Sequence, residues 1–333
     1  KMKKILLICN EENAGKRLDK FITDEFDSKD EFKNIFSRNK IQELIKNSFI
    51  KLNNIIYDCI NYKVKKNDSI EILMNEDNEF KLKEKSDIIL DILYEDEDLM
   101  VINKQAGLSV HPGAGNYENT LVNALLYHCK DNLSNISGDF RPGIVHRLDK
   151  DTTGVMIVAK NNESHLILQD QLNKRILKRV YNAIIWGNIV PENGQIEGYI
   201  RRCEKNRLKM RVTQDIGKYS LTNYQTLEKF GNTASLLRCE LTTGRTHQIR
   251  VHFSSKQHPL IGDQLYGGNS RKVAGGENEY KSYIDSFLRQ ALHSKTLRFI
   301  HPRTNEEMYF ETELPQDLEM LIKCLRMCKV ENN

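Results

Sequence analysis

Apolar side chains in the first quarter of the chain fall at helical spacing twice and then at strand spacing. Leu18, Phe21, Ile22 and Phe26 recur along one face of Gly15 to Asp27, as the buried side of a helix requires. A second set, Ile41, Leu44 and Ile45, follows Ser37, a residue suited to cap a helix start. Phe49-Ile50-Lys51-Leu52 then reads as a strand, Asn53-Asn54 as a tight turn and Ser69 to Leu73 as another strand. These elements predict a compact helix-helix-hairpin domain over residues 1–75. Residues 76–88 are rich in charge and lack apolar periodicity, which marks a linker.

A second domain is expected over residues 89–333. It opens with a hairpin, Ile89 to Leu93 and Leu99 to Ile102, around the acidic turn Glu95-Asp96-Glu97-Asp98. Helical patterns cover Thr120 to Cys129, Glu163 to Lys174 and Gln316 to Met327. Strand patterns cover Gly154 to Ala159, Val180 to Ile185, Thr222 to Phe230 and Ser235 to Leu241. Strands outnumber helices and do not alternate with them as βαβ units, so the fold class is α+β with a mixed, mainly antiparallel sheet.

Composition supports a globular chain: 39% hydrophobic residues with 6 Pro and 18 Gly in 333 residues fit one catalytic domain plus a small module. The formal charge of +4 is too small to identify an acidic partner, but its distribution is uneven. Ten basic side chains stand against three acids between Gln171 and Arg211. No apolar run reaches the length of a membrane span, and Ile5 to Cys9 is too short for a signal peptide, so a cytoplasmic protein without membrane contact is expected. The seven cysteines lie scattered without CxxC spacing and read as buried, reduced thiols.

Three segments concentrate reactive side chains. Arg141-Pro142-Gly143-Ile144-Val145-His146-Arg147-Leu148-Asp149-Lys150-Asp151-Thr152-Thr153-Gly154 is a Gly-bounded loop between apolar stretches, which on residue types alone is either a reactive loop or a solvated, salt-bridged turn. In Thr243-Gly244-Arg245-Thr246-His247-Gln248-Ile249-Arg250-Val251-His252, two Arg and two His favour phosphate or carboxylate binding over a metal, and a polar helix start is the bland alternative. Lys178-Arg179-Val180-Tyr181-Asn182-Ala183-Ile184-Ile185-Trp186-Gly187 reads as a strand in which Tyr181 is a core or cross-strand residue. No phosphate loop, Rossmann fingerprint or metalloprotease helix is present in the sequence.

Taken in order, these segments resemble the RluA-type pseudouridine synthases, and the likeness extends over residues 90–312 through Tyr94 to Lys104, Gly107 to Gly113 and Pro259 to Asp263. The resemblance implies isomerisation of uridine to pseudouridine in structured RNA, most naturally large-subunit ribosomal RNA, by a monomer needing neither cofactor nor metal. It implies Asp149 as nucleophile, Arg250 as its ion-pair partner, Tyr181 stacking on the base and assisting proton removal, and Arg147 supporting the flipped state. Residues 11–74 separately resemble the alpha-L RNA-binding module, through Gly15-Lys16-Arg17-Leu18-Asp19-Lys20, Ser37-Arg38, Leu44-Ile45 and Ile50 to Asn53. RNA contacts are accordingly expected from Arg17, Arg38, Lys40 and Lys46, and from Lys174, Lys178, Arg179, Arg245 and His247 in the second domain.

The tetrapeptide Arg-Leu-Asp-Lys occurs at 17–20 and again at 147–150, and the first copy lies within a helical pattern, so Asp19 is expected to be structural or RNA-facing. Gln105 stands where the family usually has Pro, Thr153 where Ser is commoner, and Asn47-Ser48 where the module usually has Gly; these bear on local turns and remove no reacting group. Two other functions are compatible with parts of the pattern. A glycosidase would use Asp149 and Asp151 as a carboxylate pair, and a non-catalytic RNA-binding or ribosome-assembly protein would need only the amino-terminal module.

Overall fold

The computed structural model of the chain describes residues 2–29, 36, 38–46, 49–57, 59–75, 84–111, 119–130, 132–137, 141–204, 206, 208–268, 271–273 and 278–331. It divides into two compact units, residues 1–81 and 82–333. Ser37 and residues 76–83 of the expected linker lie outside the described residues. No helix among the described residues is long and apolar enough to cross a membrane.

The first unit runs β1 (Met2–Ile8), α1 (Leu18–Asp27), α2 (Arg38–Lys46), β2 (Ile50–Leu52), β3 (Ile55–Ile56) and β4 (Ser69–Asn75). The two amphipathic helices form where the apolar spacing puts them, and Leu18, Phe21, Ile22, Phe26, Ile41, Leu44 and Ile45 are all buried. Four strands pair in the order β1-β4-β2-β3. β1 was not foreseen. Its run Ile5-Leu6-Leu7-Ile8 is apolar on both faces, so strand alternation is hidden although only Ile5 and Leu7 turn inward. Asp19 is fully buried, and both Arg17 and Arg38 grip its carboxylate while Gln42 donates a further bond at 2.5 Å. Burial opposes its charge, but Arg38, Gln42 and Arg17 outweigh burial and lower its pKa to about 2. The first Arg-Leu-Asp-Lys is therefore a clamp between α1 and α2.

The second unit runs β5 (Ile92–Glu95), β6 (Leu99–Lys104), α3 (Leu121–Cys129), β7 (Thr153–Ala159), α4 (Asn162–Asn173), β8 (Lys178–Trp186), β9 (Asn193–Arg202), β10 (Met210–Thr213), β11 (Lys218–Phe230), β12 (Ala234–Leu241), α5 (Gln248–Ser255), α6 (Glu279–Asp285), β13 (Leu292–Ile300), β14 (Glu307–Glu311) and α7 (Gln316–Glu331). Its sheet follows the order β10-β9-β11-β12-β8-β13-β7-β6-β5, with β14 paired to β13. The fold is thus α+β with a mixed, mainly antiparallel sheet, and β13 against β7 is its parallel pairing.

β7 is buried along its whole length because alternate residues feed two cores: Met156 and Val158 join one cluster, Val155, Ile157 and Ala159 another. That explains why it reads as a continuous apolar run. It begins at the end of the 141–152 loop, where Thr153 and Gly154 pair with His293 and Ser294 of β13. Gly154 has φ +109, and a Cβ there would lie 2.2 Å from the Ser294 carbonyl oxygen, so the close approach of the two backbones depends on glycine.

We expect Gly154→Ala to destabilise the chain by at least about 2 kcal/mol, since a side chain must both adopt a left-handed backbone and displace β13. Thermal unfolding checks this, and a melting temperature within about 2 °C of the parent would show that the seam can open without cost.

Candidate active site

The loop leading into β7 sorts its side chains by alternation. His146 and Leu148 point into the protein, whereas Arg147 is exposed and Asp149 is only partly covered. His146 Nε2 accepts the Ile157 backbone N–H at 3.2 Å, and burial, helped by Arg179, lowers its pKa to about 3, so it is a neutral structural acceptor. The turn carrying Asp149 is closed by Thr152 N–H donating to the Asp149 carbonyl at 3.0 Å. Other side chains hold its backbone. Lys104 Nζ, 2% exposed, donates to the carbonyls of Lys150, Leu108 and Gln105 at 2.9, 2.9 and 2.7 Å. Arg289 Nη1 donates to the Asp151 carbonyl and Gln290 Nε2 to Thr152 Oγ1, both at 3.1 Å. Burial pushes the Lys104 pKa down to about 7, while three carbonyl partners, matching the three hydrogens of an ammonium, favour its charged form.

Arg250 comes to this loop from α5. Its Nη1 donates to Asp149 Oδ2 at 2.8 Å, while Nε and Nη2 form a bidentate pair with Asp263 at 2.7 and 3.0 Å. Asp263 is completely buried and its Oδ1 also accepts the backbone N–H groups of Leu265 and Tyr266. Burial alone would raise the Asp149 pKa; His247, Arg250 and Arg147 oppose it and lower the value below the ordinary carboxylate range. Burial in turn pushes His247 down, so at neutral pH its imidazole is uncharged and the standing cation against Asp149 is Arg250. Asp149 Oδ1 takes no hydrogen bond among the described residues and faces His247 Nε2 across 3.9 Å.

These groups border a solvent-open cavity lined by Asp149, Arg147, Tyr181, Arg245, His247 and Arg250, with Leu148, Leu241, Ile249 and Leu292 among its apolar walls. A second hollow shares Arg147, Asp149, His247 and Arg250 and adds His111, whose Nε2 accepts from Arg147 Nη1 at 2.9 Å. An ionised carboxylate with one bound and one unbound oxygen, at the wall of a half-apolar cavity, is suited to nucleophilic or electrostatic work on a compact ring.

Tyr181 lies on β8, 4% exposed, between Cys239 and Ser294 of the flanking strands. Burial and the nearby Asp149 charge push its pKa up against Arg179 and Ser294. The phenol therefore stays protonated at neutral pH, and its ring forms part of the cavity wall. Tyr181 is the strand residue expected and also lines the cavity.

The expected RNA contacts fare unevenly. Arg179 is 6% exposed, with its guanidinium packed beneath Gly244, where a Cβ would lie 2.7 Å from Nη1. A phosphate at the surface is out of its reach, so this residue supports the 243–248 turn instead. His247 and Arg245 line the cavity, and Arg245 Nε donates to the Tyr219 carbonyl at 2.9 Å. Lys174 and Lys178 are exposed but paired with Asp170 and Glu240. In the first unit Arg17 and Arg38 are half-exposed beside Asp19, and the side chains of Lys40 and Lys46 lie outside the described residues. The ten basic residues from 174 to 211 are spread over the end of α4, the start of β8 and the β9–β10 hairpin, where Arg201 and Arg211 share Glu204. Lys205 and Arg207 lie outside the described residues. Among the described residues Asp96, Asp98 and His301 have a spacing that a cation could use, but Arg303 donates to Asp98 and His301 bonds Asp96.

Sequence reasoning missed Asp263, Lys104, Tyr266 and Gln248. Gln248 folds the turn before α5, accepting from Thr243 Oγ1 and Arg245 N and donating to Leu221 O and Thr222 Oγ1. Asp263 carried a signal, an acid in Gly262-Asp263 after an apolar run, but nothing in the sequence ties it to Arg250.

Comparison with known proteins identifies the family. Residues 98–255 match the family model described as RNA pseudouridylate synthase. The chain is 41% identical over 326 residues to the uncharacterized RNA pseudouridine synthase YlyB of Bacillus subtilis, covering 98% of this chain and 99% of the relative. It is 47% identical over 245 residues to the ribosomal large subunit pseudouridine synthase D of Zymomonas mobilis, covering 73% and 74%. Among solved structures it is similar to human RNA pseudouridylate synthase domain containing 4, with 27% identity, a TM-score of 0.54 and coverage of 71% of this chain and 92% of that one.

Replacing Asp263 by Asn leaves Arg250 with a neutral partner in a buried site. We expect a loss of about 3 kcal/mol in stability, as for other half-removed buried ion pairs. A loosened guanidinium also holds Asp149 less well, so its carboxyl should titrate at higher pH, measured by carbon-13 NMR of the labelled protein. An unchanged Asp149 titration would mean that Arg250 keeps its place without Asp263.

Proposed function

Because the chain belongs to the RNA pseudouridylate synthase family, and so is an isomerase acting on RNA, we propose that it converts specific uridines of large-subunit ribosomal RNA to pseudouridine with Asp149 as the reacting carboxylate. The observation that carries the residue assignment is the asymmetric state of Asp149: Oδ2 is bound by Arg250, while Oδ1 is unbonded beside a cavity walled by Tyr181. The RNA class follows the relatives named as large-subunit enzymes.

The reaction breaks an N-glycosidic bond, turns the uracil within the site and joins a ring carbon to the same sugar. It is redox-neutral and consumes no water. The residues match those needs. Arg250 keeps the carboxylate ionised, Leu241, Ile249, Leu292 and the Tyr181 ring supply a wall for a flat base, and contact with that wall retains the detached ring. A base must first leave its stack at a cost of a few kcal/mol. Arg147, exposed beside Asp149 and held by His111, is the side chain able to fill the vacated position. Arg245, Lys174 and Lys178, with Arg17 and Arg38 of the amino-terminal unit, serve as phosphate contacts that raise affinity without specifying the target.

Asp149→Asn should abolish pseudouridine formation while leaving RNA binding nearly unchanged, because the amide preserves shape and loses the nucleophilic charge. Turnover within tenfold of the parent would remove Asp149 from this role.

Arg147→Ala should slow a stacked target uridine more than one in a short flexible RNA. Single-turnover rates at saturating enzyme, with fluorescence from a base analogue beside the target, read the two effects separately. Equal losses on both RNAs with unaltered flipping would make Arg147 a loop-stabilising residue only.

A further inference from the structure

His247 stands out in the cavity wall for reasons that neither its charge nor a phosphate contact explains. Its backbone is left-handed, φ +56 and ψ +23, although it is not a glycine, and it caps α5 without using its side chain as a cap. A conformation of this kind costs on the order of 1 kcal/mol or more and persists when the surroundings require the side chain there.

The surroundings of the side chain favour one proton arrangement. His247 Nδ1 lies 2.9 Å from Tyr266 Oη, and the Met210 backbone N–H donates to the same oxygen at 2.8 Å. A backbone N–H can only donate, so Tyr266 Oη is an acceptor there and has its own hydrogen to place. His247 Nδ1 is the acceptor within its reach among the described residues. With Tyr266 O–H donating to Nδ1, the imidazole carries its hydrogen on Nε2. That atom has no hydrogen-bond partner among the described residues and faces the unbonded Oδ1 of Asp149 at 3.9 Å, too far to be taken up by it. Asp149, Arg250, Asp263, Arg147 and Tyr266 are the charged and titratable groups around it, and burial leads their combined effect in keeping the ring neutral.

We infer that His247, locked as the Nε2–H tautomer by Tyr266, donates a hydrogen bond to the uracil carbonyl next to the glycosidic nitrogen as that base detaches. This rests on the isomerase reading of the same cavity. When the C1′–N1 bond breaks, its electron pair leaves with the uracil and the charge spreads over N1 and the two carbonyl oxygens. The Asp149 carboxylate offsets the electron deficit of the sugar. No proton is transferred and nothing is oxidised; an N–H donor already in place meets charge that exists only during the reaction, the arrangement that accelerates a step most. His247 is thereby a catalytic residue and Tyr266 a positioning residue acting through it.

Two measurements on the full-length protein test this. Nitrogen-15 NMR of the histidine rings in the free protein should give His247 a protonated Nε2 and an unprotonated Nδ1. Tyr266→Phe, which keeps the ring under the Arg250 guanidinium at 5.2 Å, should abolish that preference. A protonated Nδ1 in the parent overturns the inference whatever the turnover. The second measurement uses large-subunit ribosomal RNA fragments with the mapped target replaced by 2-thiouridine, and by 4-thiouridine as control. His247→Gly relieves the left-handed backbone, so it should fold at least as stably as the parent yet slow uridine isomerisation roughly a hundredfold. It should also erase the extra penalty that the parent shows on 2-thiouridine, sulfur being a poor acceptor, and leave the 4-thiouridine ratio as it was. A variant as fast as the parent, or one with the full 2-thiouridine penalty, overturns the inference. Absence of pseudouridine with the parent enzyme, alongside the expected tautomer, would instead overturn the functional reading and leave His247 a donor for another ligand.

Discussion

One buried guanidinium organises the second unit's candidate site. Arg250 is 7% exposed, and a cation so enclosed is tolerable only with close anionic partners. Asp263 supplies the first, in bidentate geometry and with its Oδ1 fixed by two backbone N–H groups, so the plane of the guanidinium is set before Asp149 is considered. The remaining Nη1 then points to Asp149. Division of labour between the carboxylates follows: the saturated one orients, and the one with a free oxygen can react.

The rest of the site protects that asymmetry. The Asp149 turn is held through its carbonyls and through the Thr152 hydroxyl by Lys104, Arg289 and Gln290, so none of these contacts occupies the Asp149 carboxylate. The parallel seam between β7 and β13 brings Gly154 against Ser294 and fixes where the turn ends. Asp19 provides the internal contrast. It sits in the same tetrapeptide, also beside arginines, but Arg17, Arg38 and Gln42 engage both its oxygens and it is fully buried, leaving no atom for chemistry. Identical local sequence thus gives a strut in one unit and a carboxylate with an unbonded oxygen in the other.

Local patterning determined a good deal. Helical spacing located α1 and α2 and their buried faces, the apolar run located β7, and the lack of βαβ alternation indicated a mixed sheet. The Gly-bounded, charge-dense segments marked the turn bearing Asp149 and the start of α5 bearing Arg250, because residues that no core would accept must serve something else. β1 stayed hidden since an all-apolar run carries no period, β9, β10 and β14 since polar side chains on exposed faces dilute their alternation, and β13 since two of its buried positions are polar, His293 and Ser294.

What only tertiary structure decided are the pairings across long separations. Asp149 and Arg250 are a hundred and one positions apart, Lys104 reaches the carbonyl of Lys150, and Tyr266 fixes His247 from a different loop. Arg179 reads as one more surface cation until the strand turns it under Gly244. Composition and periodicity record which face of its own element a residue occupies; they are silent on what lies opposite, and burial, protonation state and the free oxygen of Asp149 all depend on what lies opposite.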